Sequence, residues 1–150
     1  MATRDGPMNR FILAVLAATL FATGVHAQSD EAGPFVTPSG ALQFVRAGTD
    51  VTVMVDQATI DRFSANGLTH FDEIDDSTDA IRRMVVQTEA GPVLYDFRTR
   101  PPLVVRSAKR MSIRRVFWQG DDVVMQGSQG WFRINHGVVT KLQSSITTYH

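Results

Sequence analysis

The sequence contains no cysteine, and this absence excludes several classes of protein at once. No disulfide can form, no thiolate can act as a nucleophile or a metal ligand, and no lipid can be attached through cysteine. An exported domain without disulfides has to be stabilised by a hydrophobic core. A chain of 150 residues is long enough to form one.

Short motifs that mark common catalytic sites are also missing. There is no Gly-Lys-Ser/Thr phosphate loop, no His-Glu-x-x-His zinc motif, and no glycine two residues before Ser128, as a nucleophile elbow requires. His70 is followed by acids between Asp72 and Asp76, but their spacing is not that of a calcium loop, so a solvated acidic loop is expected. Ser128, His136 and Asp121 lie close in sequence, yet a catalytic triad is defined by geometry. We therefore expect no enzyme activity, no cofactor and no metal.

Only one long apolar run occurs, from Phe11 to Val25, and it lies directly after the charged residue Arg10. Val25 and Ala27 then place small residues at positions −3 and −1 of a cleavage site, as in secretory signal peptides. The run is shorter than the ~20 apolar residues that a membrane-spanning helix needs. Residues 1–27 are predicted to be a cleaved signal peptide. The protein is therefore expected in the bacterial periplasm or secreted, with no stable membrane span after cleavage.

The remaining chain is predicted to form a flexible N-terminal arm over residues 28–40 and a single β-rich domain over residues 41–150. The clearest signal lies between Met111 and Leu142, where β-branched and aromatic runs are separated by turns that contain glycine. Similar short runs occur before it. The predicted strands are Leu42–Arg46, Val51–Val55, Leu68–Phe71, Met84–Glu89, Val93–Arg98, Leu103–Arg106, Arg114–Gln119, Asp122–Gln126, Trp131–Asn135 and Val138–Leu142.

Two polar residues could each begin a short helix. Asp56 could cap one helical turn through Asp61, and Ser77 could cap a helix through Met84, although a plain loop is the alternative at the second place. No internal repeat of fixed length is evident. The predicted fold class is mainly β: a small antiparallel sheet, a meander or a barrel-like or sandwich-like arrangement, with one or two short helices.

Charged residues are segregated along a chain whose net charge is zero. The stretch from Asp50 to Asp79 is acidic, with Arg62 as its single basic residue before Asp79, and a basic segment follows. That segment supplies the predicted ligand-binding residues, which are Arg98, Arg100, Arg106, Lys109, Arg110, Arg114 and Arg115. Most of its arginines have even numbers, so a fully extended segment would place them on one face, although Pro101-Pro102 interrupts that register.

Three interpretations of this segregation stay open. The basic segment could bind an acidic protein or an anionic envelope polymer, the two segments could pair within one molecule or across a dimer, or both could be solvated. Nucleic acid is disfavoured as a ligand by the export signal and the neutral net charge.

The two tryptophans, Trp118 and Trp131, are expected in the core, because large aromatic side chains dominate burial in β proteins. A binding face is the alternative.

From Ala41 to about Ser107 the order of features resembles the surface-adhesin protein E type of small exported bacterial proteins. The features are Phe44-Val45, the turn Gly48-Thr49-Asp50, the strand Val53-Met54-Val55-Asp56, and the pair Thr59-Ile60. The resemblance implies a β-rich binding domain rather than an enzyme.

These observations predict an exported, non-enzymatic binding module that recognises a protein or an anionic envelope polymer through the basic segment. The alternative is a structural subunit of an envelope or secretion assembly that uses a sheet edge, with homo-oligomers as one form of such an assembly. A small hydrolase or metal-binding protein is the third interpretation.

Overall fold

The computed structural model describes residues 33–142, so the predicted signal peptide and the first part of the predicted arm lie outside the described residues. The described chain forms twelve strands in three four-stranded antiparallel sheets, and in each sheet the spatial order follows the sequence. Sheet 1 contains β1 (Phe35–Thr37), β2 (Gly40–Ala47), β3 (Asp50–Val55) and β4 (Ala58–Ser64). Sheet 2 contains β5 (Thr69–Ile74), β6 (Ile81–Thr88), β7 (Gly91–Asp96) and β8 (Leu103–Arg106). Sheet 3 contains β9 (Ile113–Gln119), β10 (Asp122–Gly127), β11 (Gly130–Asn135) and β12 (Val138–Leu142).

The prediction of a mainly β, antiparallel fold is confirmed, whereas the prediction of one or two short helices is wrong. Asp56 and Gln57 form a two-residue hairpin turn with φ of 49° and 68°, and β4 follows directly. The Asp56 carboxylate accepts a hydrogen bond from the backbone N–H of Ala41 on β2, at 2.8 Å, instead of capping a helix. No helix occurs between residues 33 and 142, so this part of the chain has no helix that could cross a membrane.

The second predicted helix is replaced by a turn and a central strand. Ser77 donates its backbone N–H and its hydroxyl to Asp75, which closes a local turn, and β6 begins at Ile81. Along β6 the side chains of Met84, Val85 and Val86 are all fully buried. A strand that is buried on both faces has consecutive apolar residues, and this pattern gives no helical period.

Within the predicted arm, Phe35–Thr37 forms the edge strand β1, which pairs with β2. Phe35 packs on the core, and its ring meets that of Phe44 edge-on at 6.3 Å between centroids. This aromatic contact holds β1 against sheet 1.

Each of the three sheets contains a central hairpin with a turn of the same length. In each sheet the second and third strands are joined by two residues, namely Gly48-Thr49, Glu89-Ala90 and Ser128-Gln129. Two-residue turns fix the register of the strands that they connect, so residues at the same distance from these turns occupy equivalent places in the three sheets.

Sheet 2 lies between the other two sheets, and both of its faces are buried. Met84, Val86, Val93 and Tyr95 pack with the apolar residues of sheet 1, whereas Val85, Leu94 and Val105 pack with those of sheet 3. All six residues of β7 are buried as a result. The outer faces of sheets 1 and 3 are left as the two ends of the stack.

Candidate functional site

The outer face of sheet 3 points away from sheet 2. On β11, Phe132 and Ile134 belong to the core shared with sheet 2, so strand alternation places Trp131 and Arg133 on the outer face. On β9, Val116 and Trp118 pack against the same core. Alternation therefore places Arg115 and Phe117 outward beside them.

Phe117 and Trp131 form a stacked aromatic pair on this outer face. Their ring centroids are 5.9 Å apart with an interplanar angle of 24°. The pair lies diagonally across β10, because Phe117 is opposite Val124 and Trp131 is opposite Gln126. Both rings are still exposed, by 37% and 36%. Large aromatic rings this exposed are available for contact with another molecule.

Two arginines flank the aromatic pair. Arg115 is opposite Gln126 on β10, and Arg133 is opposite Val124, so Arg115 lies next to Phe117 on the face of β9 and Arg133 lies next to Trp131 on the face of β11. Both arginines are exposed, and neither side chain forms a hydrogen bond or an ion pair within residues 33–142. We call Arg115, Phe117, Trp131 and Arg133 the aromatic–arginine face.

Sequence reasoning identified only part of this face. Arg115 was among the predicted binding residues, but Arg133 was not. The expectation that both tryptophans lie in the core holds for Trp118, which packs on the core between sheets 2 and 3, and is wrong for Trp131. The strand alternation of Trp131 against Phe132 was the signal that could have revealed this, since the two residues must point to opposite faces.

The other predicted basic residues do not share one face with Arg115. Arg98 donates to both oxygens of Asp96, at 2.9 and 2.7 Å, and to Asp121 at 3.3 Å. Burial alone would raise the pKa of Asp96, but the hydrogen bonds from Arg98 outweigh it and lower that pKa. The hydrogen bond to Asp96 in turn raises the pKa of Arg98. This arginine is therefore part of an ion-pair network within the chain.

Arg106 and Arg100 are also bound internally. Arg106 forms an ion pair with Asp61 on β4, which joins the acidic segment of the sequence to the basic one. The other oxygen of Asp61 accepts a hydrogen bond from the buried hydroxyl of Tyr95 at 2.6 Å, and burial and this carboxylate raise the pKa of Tyr95. Arg100 donates to the carbonyl of Pro38 at 2.6 Å. Pairing of the acidic and basic segments is thus realised at one ion pair, Arg106–Asp61.

Lys109, Arg110 and Arg114 lie where the chain leaves sheet 2 for sheet 3. Lys109 and Arg110 are in the connection between β8 and β9, and Arg110 lines an open cleft of about 400 Å³. Arg114 lies at the irregularity where Gly127 pairs with Ile113. Because the basic segment spans two sheets, it does not form the single extended face that its even-numbered arginines suggested.

Arg83 is a buried arginine that sequence reasoning missed. Its side chain is 1% exposed, and it donates to both oxygens of Glu73, at 2.6 and 2.8 Å. It also donates to the carbonyl of Gly120 at 2.7 Å and lies 5.1 Å from the ring centre of Trp118. The hydrogen bond from Arg83 lowers the pKa of Glu73. These contacts fix sheet 3 against sheet 2 and thereby position the aromatic–arginine face.

The histidines considered for metal binding or catalysis lie in different surroundings. His70 is buried, with Nδ1 2.7 Å from Asp72 and its ring 5.6 Å from that of Phe35. In the described part of the chain, no three histidine or acidic side chains come together as a metal site. His136 lies in the turn after β11, whereas Ser128 lies in the turn before it. The length of that strand, ~20 Å, separates the two turns, so these residues do not form a triad.

A comparison of the chain with protein-family models, with curated proteins and with solved structures found no match.

Proposed function

We propose that this protein is an exported, non-enzymatic interaction module that binds a protein partner through the aromatic–arginine face. The observation that supports this most strongly is the stacked, exposed pair of Phe117 and Trp131 between two arginines that have no partner within residues 33–142. Tryptophan and arginine are among the residues most enriched in the small set that dominates protein–protein binding energy. An apolar centre with charged groups at its edge is also the usual arrangement of such interfaces.

The distribution of free cations favours a protein over an anionic polymer. A polymer is tracked by a continuous row of basic side chains, as the sequence alone suggested for the basic segment. Three members of that row, Arg98, Arg100 and Arg106, are instead bound to acceptors of the chain itself. The aromatic–arginine face offers only two cations around an apolar centre, which suits a folded surface with one or two carboxylates.

A photo-cross-linking amino acid placed at Trp131 tests this proposal in the cells from which the protein comes. Ile74 is the matched control, because it is an apolar residue with 53% exposure that lies on sheet 2. We expect a cross-linked protein product of defined mass from position 131 and none from position 74. Loss of that product on Phe117→Ala would link it to the aromatic pair.

Two results would reject the proposal. One is the absence of any product from position 131 at cross-linker yields that label a known interface. The other is a product of heterogeneous mass that disappears at high salt, because this would identify an anionic polymer as the ligand.

A further inference from the structure

Each sheet meets the preceding sheet with one face and the following sheet with the opposite face, and equivalent faces are used in the same way at both contacts. We call the face of each sheet that meets the preceding sheet its front, and the face that meets the following sheet its back. Sheet 1 packs its back, including Leu42 and Phe44, on the front of sheet 2, where Met84 and Val86 lie. Sheet 2 packs its back, including Val85 and Leu94, on the front of sheet 3, where Val123, Met125, Phe132 and Ile134 lie.

Comparison of equivalent positions in the three hairpins shows which face sheet 1 and sheet 3 each leave uncovered. Counted back from the two-residue turns, Val45 is equivalent to Val86 and Met125, which are front residues. Phe44 and Val85 are equivalent to Val124 in the same way, and they are back residues. Sheet 1 therefore leaves a front free, and sheet 3 leaves a back free.

The free front of sheet 1 offers a complement to the aromatic–arginine face. Alternation on β2 and β3 places Gln43, Val45, Thr52 and Met54 there, and Val45 is 45% exposed. A shallow cavity of about 390 Å³ on this sheet is lined in part by Asp50, Thr52 and Arg62. It could receive an aromatic ring, and the Asp50 carboxylate could accept a hydrogen bond from Arg115 or Arg133.

We propose that the partner of the aromatic–arginine face is a second copy of this chain, and that two copies close a ring of six sheets. Each back of sheet 3 packs on the front of sheet 1 in the other copy, and the two contacts are related by twofold symmetry. Rings of face-packed, four-stranded sheets close with about 4–8 sheets, so the three sheets of residues 33–142 are too few and six are within range. This inference rests on the proposed function, because it names the protein that occupies the proposed interface.

The area of the free faces supports a closed dimer over a single contact. Four strands ~4.8 Å apart and six residues long give a face of about 19 Å by 20 Å, which is ~380 Å². One sheet-to-sheet contact buries two such faces, ~750 Å², and this is less than stable interfaces bury. Two contacts bury ~1,500 Å², which is the usual size of a specific interface.

Light scattering during size-exclusion chromatography of the full chain is the first test. We expect twice the monomer mass for the unchanged protein. Trp131→Asp on sheet 3 and Val45→Asp on sheet 1 should each raise the dimer dissociation constant by ~30-fold or more, as loss of a dominant interface residue does. Ile74→Asp on sheet 2 is the matched control and should stay dimeric. Circular dichroism of each variant shows whether it is still folded.

Introduced cysteines test whether the front of sheet 1 in one copy meets the back of sheet 3 in the other. Because the natural sequence has no cysteine, every disulfide must join two introduced thiols. Gln43→Cys, Val45→Cys and Thr52→Cys on sheet 1 are each mixed, under mild oxidation, with Val124→Cys or Gln126→Cys on sheet 3. Each of these proteins carries one thiol. The two thiols of a pair lose two electrons to the added oxidant, release two protons and form one disulfide between copies. We expect at least one mixed pair to cross-link far faster than either of its members alone.

The outcomes separate this inference from the proposed function. A monomer that still gives a cross-linked product with a different protein from position 131 overturns the second copy and keeps the interaction module. A dimer in which Gln126→Cys links to itself, while Val45→Asp has no effect, overturns the six-sheet ring. A monomer without any product from position 131 overturns both.

Discussion

Replacement of Arg83 by methionine is expected to destabilise the fold by about 3–5 kcal/mol, the usual cost of removing one partner from a buried ion pair. The arginine is 1% exposed and Glu73 is 16% exposed, so little water can replace the lost guanidinium. The carbonyl of Gly120 also loses its donor. Methionine preserves most of the side-chain volume, so the effect reports the loss of these polar contacts rather than a cavity.

The double variant Arg83→Met with Glu73→Met separates the pair from its surroundings. Because apolar replacement of both partners is often nearly neutral, it should recover much of the stability lost in the single variant. Urea unfolding at fixed protein concentration measures both effects. For a slope of ~2 kcal/mol per M, the single variant should lower the midpoint by about 2 M. A single variant that costs less than about 1 kcal/mol would show that the Arg83 side chain does not hold sheet 3 against sheet 2.

Three further changes test other parts of the structure. The hydrogen bond from Arg83 holds the pKa of Glu73 below its usual 4.5, so the unfolded chain takes up this proton first as the pH falls. The free energy of unfolding should be constant above about pH 5 and decline below it, and Glu73→Gln should flatten that decline. A profile of the unchanged protein that is flat to about pH 3 would refute the assignment. Tyr95→Phe removes the hydroxyl that donates to Asp61 at 2.6 Å and should cost about 1.5–3 kcal/mol in urea unfolding, since hydrogen bonds to charged groups fall in this range; no change would contradict the burial of that contact. Gln57→Gly should stabilise the protein by about 1 kcal/mol, because Gln57 has a φ of 68°, and Gly137→Ala, at a φ of 82°, should destabilise it by a similar amount. Thermal unfolding measures both changes, and a lower melting temperature for Gln57→Gly would contradict the prediction.

The sequence predicted the strands best where tight turns separate them. Leu103–Arg106 and Val138–Leu142 have the predicted bounds, and Arg114–Gln119 differs by one residue at its start. The two predicted helices failed because Asp56 and Ser77 are polar residues that serve turns as readily as helix caps. A residue that can cap a helix satisfies backbone N–H groups at the helix start, but its presence in the sequence does not show that a helix follows.

The grouping into three sheets could not be predicted from residue identity. Equivalent positions carry different side chains, for example Gln43, Met84 and Val123, so no fixed sequence repeat is visible. The repeat lies in the length of the hairpins, and it emerges once the strands pair.

The aromatic–arginine face was predicted only in part for a similar reason. The basic segment is continuous in sequence, but Pro101-Pro102 and the connection from 107 to 112 divide it between sheets 2 and 3. Arg83 was missed because the burial of an arginine depends on Glu73 and Trp118, which reach it only in the folded chain.

The most direct measurement of the central claim is the fluorescence of Trp131 in the Trp118→Phe protein, in which it is the only tryptophan. Because its ring is 36% exposed on the outer face of sheet 3, occupation of that face must change its solvent contact. We predict a blue shift and slower quenching by acrylamide as protein concentration rises, in parallel with the change in mass from monomer to dimer. Emission and quenching that stay the same at every concentration, and after addition of the envelope proteins of the source cells, would contradict the claim that this face binds a protein.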